Sequence, residues 1–432
     1  MVKGLTEKDL GKFKLVGNID ALGGRKLVFQ VTEISVEKDD YFSRLYLYDG
    51  RRVEPFTSGK KDANPRFSPD GKLVAFTSKR DKESKEAELY VIPPTDGGEA
   101  RLLAKFKYGI KNLRFTEDGK GIAVVTPIDV EKKPKDDVHI IKELPFWFNG
   151  VGWIYGKRSV VYLVDVESGK KKRLTPKNLD VGQIRFHNGK LYFTAQEDRE
   201  RKPMVSDLYV LEGRKAKRLT PGKWSISDFI PLDDGTFILK ANTRERGIPT
   251  NTHIYHYNPE TGEMRKLTKD LDRAAYNSLN SDVRGGAQRA ELVFRDGWVY
   301  YIATDGPRAN LFRVNLDGKI ERVIGGDRSV ESFAIGGDYI AFTAQDAVTP
   351  LELYVLRDGK EKKVTDFNGW IKEYSLSKPE HFKVKASDGV EIDAWIMKPV
   401  NFEPGKKYPA VLEIHGGPKT AYGYASCTSS TF

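Results

Sequence analysis

The sequence predicts an all-β fold, a seven-bladed β-propeller, followed by the opening strands of a second domain. Three observations carry this: an apolar–aromatic pair that recurs along the chain, a glycine turn on either side of each copy, and a change of character after Thr365. The pairs are Leu45-Tyr46, Leu89-Tyr90, Val161-Tyr162, Leu208-Tyr209, Ile254-Tyr255, Leu311-Phe312 and Leu353-Tyr354. They lie 44, 72, 47, 46, 57 and 42 residues apart, and four of these six spacings suit a four-stranded blade.

Each pair precedes a turn with glycine: Asp49-Gly50, Gly97-Gly98, Ser168-Gly169, Glu212-Gly213, Thr261-Gly262, Asp317-Gly318 and Asp358-Gly359. A short strand follows, ending in a motif such as Leu174-Thr175, Leu219-Thr220 or Leu267-Thr268. Upstream of each pair lies another hairpin, turning at Gly23-Gly24, Asp70-Gly71, Asp118-Gly119, Asn188-Gly189, Asp234-Gly235, Asp296-Gly297 and Gly336-Gly337. Two-residue hairpin turns need a positive φ, which glycine adopts without a Cβ clash. Two hairpins per unit give four antiparallel strands. Runs such as Lys72-Leu73-Val74-Ala75-Phe76-Thr77 are β-formers without a helical period. A blade cannot cover both of its faces alone, so neighbours must stack.

Residues 1–12 read as an N-terminal helical segment, with Thr6 and Asp9 as a capping pair; 13–368 read as the propeller and 369–432 as the start of the next domain. The first unit opens with its own strands near Leu27-Val28-Phe29, and the seventh ends with its own fourth strand at Lys363-Val364-Thr365. No strand is left over for exchange between them. The propeller is therefore expected to be unclasped, its first and last blades meeting by packing alone.

Two units carry insertions. Between Ile128 and Ser159 lie Phe146, Trp147, Phe148 and Trp153, aromatics that either line a substrate path or pack over the blade edge. The run from Asp272 to Arg289, with Ser281-Asp282-Val283-Arg284-Gly285-Gly286, reads as a polar linker without chemistry.

Composition narrows the function classes. The net charge of +11 raises nucleic acid, but the lysines are scattered over turns among acidic residues and no nucleic-acid motif accompanies them. A charge-rich solvated surface is the expectation instead. No apolar run reaches the ~18 residues of a membrane span. The N-terminus lacks the apolar stretch of a signal peptide, and Cys427 is the only cysteine, so a cytosolic protein without nucleic-acid or membrane partners is expected. His253 and His256 lie three apart on a strand, on opposite faces, and cannot share a metal. Asp39-Asp40 and Asp136-Asp137 lack the alternation of a calcium loop. No metal and no cofactor is expected.

After Thr365, residues 381–386 form a strand, Ser387-Asp388-Gly389 turns it, and residues 391–399 return. Residues 408–414, YPAVLEI, read as a buried strand that runs into His415-Gly416-Gly417-Pro418. A buried strand ending in His-Gly-Gly places backbone N–H groups at the mouth of a sheet, where glycines let a substrate approach. In an α/β-hydrolase such a loop supplies half of the oxyanion hole.

Residues 375–424 resemble the start of the peptidase domain of the prolyl oligopeptidase family, above all its acylaminoacyl-peptidase branch, in SDGVEIDAWIMKP, YPAVLEIHGGP and YGYA. The seven units resemble that family's propeller. The resemblance implies a serine peptidase acting on short or N-acylated peptides, a propeller that gates access, and a Ser, Asp and His triad. It makes Gly417, with Gly416 beside it, the backbone donor of the oxyanion hole, and leaves His415 to the loop rather than the triad. Gly-x-Ser-x-Gly occurs nowhere in the sequence and no histidine follows His415. The expectation is an all-β unclasped propeller followed by an incomplete α/β-hydrolase domain, cut short by truncation or frameshift and inactive alone. A homo-oligomer or a complementing C-terminal chain stays open as partner. The alternative is a non-catalytic propeller that binds peptides or proteins.

Overall fold

The computed structural model describes residues 4–24, 26–80, 86–94, 98–131, 138, 140–197, 204–247, 249–284, 290–417 and 419–425. Gly97, Asp136, Asp137, Gly285, Gly286, Pro418 and Cys427 lie outside them. Among the described residues, seven four-stranded antiparallel blades follow one another at 14–55, 63–106, 112–173, 179–218, 225–266, 293–324 and 329–363, the last two joined into one sheet by a parallel pairing of Ala309 with Ser329. The chain forms two compact units, 64–269 and the combination of 1–63 with 270–432.

The recurring pair is explained by register. In five blades its aromatic member stands opposite an aromatic of the second strand and stacks on it: Phe29 on Tyr46, Phe76 on Tyr90, Phe193 on Tyr209, Tyr301 on Phe312 and Phe342 on Tyr354, with ring centroids 5.3–6.1 Å apart. Such pairs add roughly 0.5–1.5 kcal/mol beyond area burial. Val124 and Leu239 take the opposite place in blades three and five. The apolar member points to the other face, where Leu45, Leu89, Val161, Leu208, Ile254, Leu311 and Leu353 are fully buried.

The Leu-Thr motif is a second device. Leu219 N–H donates to the Leu208 carbonyl at 2.8 Å, and the Thr220 hydroxyl accepts from Leu208 N–H at 3.0 Å. Leu174-Thr175 serves Val161 and Leu267-Thr268 serves Ile254 in the same way. The dipeptide thus satisfies both backbone groups of the residue at the heart of the blade, where burial leaves no water to do so. Several fourth strands, such as Lys171–Arg173, Lys215–Arg218 and Lys360–Lys363, are rows of largely exposed cations. Lysine on an edge strand hinders pairing with another chain, which accounts for part of the surplus charge.

Within the unit that holds blades one, six and seven, none of the described residues among the first thirty pairs into blade seven, so the propeller is open. The seam is held not by packing alone, the expectation from the sequence, but also by side-chain hydrogen bonds. Asn368 accepts from Lys14 N–H at 2.9 Å and donates to the carbonyls of Lys14 and Leu351 at 2.8 and 3.1 Å. Tyr339 donates to the carbonyls of Leu22 and Lys26. The N-terminal segment is a 3₁₀ helix, Glu7–Lys12, with the Thr6–Asp9 capping box, and Tyr374 donates to Asp9 at 2.7 Å.

Glu352 completes this seam, accepting from Thr365 and from Asn368 N–H. Burial pushes its carboxyl above the ordinary value of 4.5. The folded protein therefore binds this proton more tightly than the unfolded chain, and stability from this group falls as pH rises from about 4.5 through the raised value. Glu352→Gln is expected to gain stability over wild type at pH 7.5 relative to pH 4.5. Denaturant midpoints at the two pH values check this, and an equal difference at both would sink it.

Two sequence-based expectations need correction. The Asp272–Arg289 run is more than a polar linker: Leu279 and Val283 are buried, and Asn277 donates to Ser329 and to the Val330 carbonyl. Residues 408–414 are not a buried strand. Val411, Leu412 and Ile414 are 95%, 84% and 79% exposed, and no strand is assigned there. An apolar strand is buried only when neighbouring strands and helices cover it, and among the described residues nothing does. The preceding hairpin, Glu380–Lys385 with Glu391–Ile396, forms as expected.

Candidate functional site

The His415–Gly417 loop has a defined geometry. Gly417 adopts φ 155°, and a Cβ there would lie 2.7 Å from the backbone nitrogen of Lys419. A Cβ on Gly416 would meet nothing within 4 Å. Only the second glycine is sterically required, and it is the predicted donor. The Gly416 carbonyl accepts from His415 Nδ1 at 2.9 Å and from the Thr420 hydroxyl. The His415 ring packs edge-on to Tyr422 at 5.5 Å, and Tyr422 donates to Glu413 at 2.6 Å. Pro418 lies outside the described residues.

Beyond the loop the chain docks on blade six. Ala421 forms a parallel bridge with Leu279, donating to the Ser278 carbonyl at 3.0 Å and accepting from Asn280 at 2.8 Å. Tyr424 N–H donates to the Pro307 carbonyl at 2.8 Å. Gly423 passes so close that a Cβ would lie 2.4 Å from that same carbonyl oxygen. Ala425 is buried in the blade-six cluster with Leu279, Leu311 and Ile324. The Tyr424 ring meets Trp395 of the hairpin at 4.8 Å and carries the Arg308 guanidinium at 5.5 Å. Desolvation holds the Lys419 ammonium below its ordinary range.

The aromatic insertion stands apart in sequence and packs on itself. Trp147–Phe148 pairs with Gly152–Trp153, Phe146 contacts Trp153 at 5.7 Å, and Phe146, Trp147 and Phe148 are exposed. His253 and His256 are structural: the first bonds Thr268 at 3.0 Å and the second Thr236 at 2.8 Å. Among the described residues no group of three His, Cys, Asp or Glu could hold a metal, and no helix is long and apolar enough to cross a membrane. Sequence reasoning missed Thr420 and the 276–284 strap. The signal for the strap was there in Leu279 and Val283, two apolar residues in an otherwise polar run.

The described chain is an open propeller followed by a two-stranded hairpin and a His-Gly-Gly loop. A family profile for the N-terminal β-propeller domain of acylaminoacyl-peptidase matches residues 32–350, and the chain belongs to that family. It is 32% identical over 93% of its length to the uncharacterized peptidase YuxL of Bacillus subtilis (strain 168), and covers 64% of that protein. Its fold matches an acylaminoacyl peptidase solved in complex with Z-Gly-Gly-Phe-chloromethyl ketone, with a TM-score of 0.80 at 22% identity, covering 99% of this chain and 64% of that one. The β-propeller domain of the Trilobed protease from Pyrococcus furiosus, described as having an open velcro topology, matches with a TM-score of 0.58 at 19% identity, over 83% of this chain and 97% of that one. The chain thus spans a little under two thirds of the peptidases it matches over nearly its whole length.

Proposed function

We propose that the whole protein is a cytosolic serine peptidase of acylaminoacyl type that cleaves short or N-acylated peptides, with residues 13–368 gating their access and residues 369–432 opening the hydrolase domain. The observation that carries this is the Gly417 loop, whose backbone requires glycine where an oxyanion donor is needed and which is tied to blade six a few residues on. The Ser, Asp and His of the triad are assigned to the part of the relatives' length that this chain does not span. The partners proposed are a short-peptide substrate, a chain supplying that part, and a second copy forming a homo-oligomer. The second reading, a propeller that binds peptides or proteins without catalysis, rests on the exposed aromatics Phe146, Trp147 and Phe148 of the insertion.

Joining the chain to the segment that follows this loop in the relatives tests the two. The peptidase reading expects hydrolysis of acetyl-peptide substrates by the joined protein. Gly417→Ala keeps the N–H but cannot seat its Cβ, which would lie 2.7 Å from the Lys419 nitrogen, so it should displace the donor and lower kcat about a hundredfold, the scale of losing one oxyanion donor. Gly416→Ala should leave folding intact. Peptide binding without turnover in the joined protein would favour the binding module.

A further inference from the structure

We infer that Thr420 is the positioning residue for the oxyanion donor, and that docking of residues 421–425 on blade six holds Thr420 in place. The inference rests on the reading of Gly417 given above.

The argument starts from the peptide bond between Gly416 and Gly417. A trans peptide is planar, so its C=O and N–H point in opposite directions. Whatever fixes the Gly416 carbonyl therefore aims the Gly417 N–H. Left alone, a Gly-Gly peptide rotates readily, because neither residue has a Cβ to restrict it. Here the carbonyl accepts from two side chains on one side, His415 Nδ1 at 2.9 Å and the Thr420 hydroxyl. Thr420 also fills the space beside Gly417, where a Cβ would lie 3.1 Å from both its backbone nitrogen and its Oγ1. A donor aimed before substrate arrives is the condition for stabilising an oxyanion without reorganisation.

Thr420 is placed by its neighbours in sequence. Ala421 is bonded through both N–H and C=O to the strap at Ser278–Asn280, Tyr424 N–H is bonded to Pro307, and Gly423 is pressed against blade six. The strap is fixed in turn by Asn277, which donates to Ser329 at 2.8 Å and to the Val330 carbonyl at 3.1 Å. The support thus runs from blade seven to the strap, to Ala421, to Thr420 and to the Gly416 carbonyl. Nothing in it passes through the exposed 408–414 segment.

The test uses the full chain labelled with glycine carrying ¹³C at the carbonyl and ¹⁵N at the amide. Gly-Gly peptides are few in this sequence, so the Gly416 carbonyl–Gly417 nitrogen correlation can be isolated. Thr420→Val, which keeps the shape and removes the hydroxyl, is expected to move this resonance, the carbonyl carbon shifting upfield as it loses its donor. Thr420→Ser should leave it in place. Gly423→Ala, which cannot seat against Pro307, should move it as Thr420→Val does. The Gly325–Gly326 and Gly336–Gly337 correlations should stay fixed throughout, showing an intact fold. An unmoved Gly416–Gly417 resonance in Thr420→Val overturns the inference. In the joined enzyme, Thr420→Val should lower kcat with KM unchanged and Thr420→Ser should restore it. A moved resonance with wild-type kcat would keep Thr420 as the residue that fixes the peptide and remove Gly417 as the oxyanion donor, so the two readings fail separately.

Discussion

Replacing Arg284 by methionine is expected to destabilise the protein by about 2–3 kcal/mol, short of the ~3–5 kcal/mol for breaking a fully buried ion pair because a quarter (25%) of the Arg284 side chain stays exposed. Arg284 lies 2.6 Å from Glu331 and donates to the Leu279 carbonyl at 2.7 Å. The Glu331 side chain is 2% exposed. Ser329 and Gln345 donate to it at 2.7 and 2.8 Å, but neither carries charge. Without the guanidinium, the buried Glu331 carboxyl is left with neutral donors only, and the strap keeps only its Asn277 bonds to blade seven. The double variant Arg284→Met with Glu331→Leu should recover much of the loss, because a buried pair replaced as a unit by apolar groups is often near neutral. Denaturant unfolding of the wild type, both single variants and the double variant measures the coupling. A loss below about 1 kcal/mol in Arg284→Met would place the pair among the weak surface bridges instead.

Arg284 also shows where the sequence stops being legible. Its partner is 47 residues away, and the strap it fastens offers no period and no turn signature around Ser281-Asp282-Val283-Arg284. The blades were legible for the opposite reason. Their apolar–aromatic pairs and Gly turns recur within each unit, so a local pattern such as Leu208-Tyr209 followed by Leu219-Thr220 announces a complete blade. One turn was right in place and wrong in cause. Gly336-Gly337 has no positive φ, and the Tyr339 ring fills the space where a Cβ of Gly336 would sit. The His-Gly-Gly loop could be seen as a motif. What orients it, a threonine hydroxyl on a carbonyl, leaves no trace in residue spacing. The apolar run at 411–414 misled because hydrophobicity predicts burial only where the fold supplies something to bury against.

Hydrogen exchange is expected to divide the stretch after the hairpin into an open half and a closed half within a few residues. Val411, Leu412 and Ile414 are almost fully exposed, and no backbone bond of theirs is found among the described residues. Their amides should exchange near the rate of an unstructured peptide. Ala421 and Tyr424 amides are bonded to Ser278 and Pro307 and lie against the blade-six cluster. Exchange there requires undocking from blade six, and in the blade strands it requires opening on the scale of global stability, about 5–15 kcal/mol. At about 1.4 kcal/mol per tenfold, the blade strands should exchange at least about a thousand times more slowly than residues 411–414, with Ala421 and Tyr424 between them. The hairpin 380–396 has a full ladder but is only two strands wide, a marginal structure by itself, and should also fall between. Gly423→Ala should erase the protection of Ala421 and Tyr424 and leave the blades unchanged. Protection of 411–414 equal to that of the blades would show that this edge has found a partner, and a dependence on protein concentration would identify that partner as a second copy of the chain.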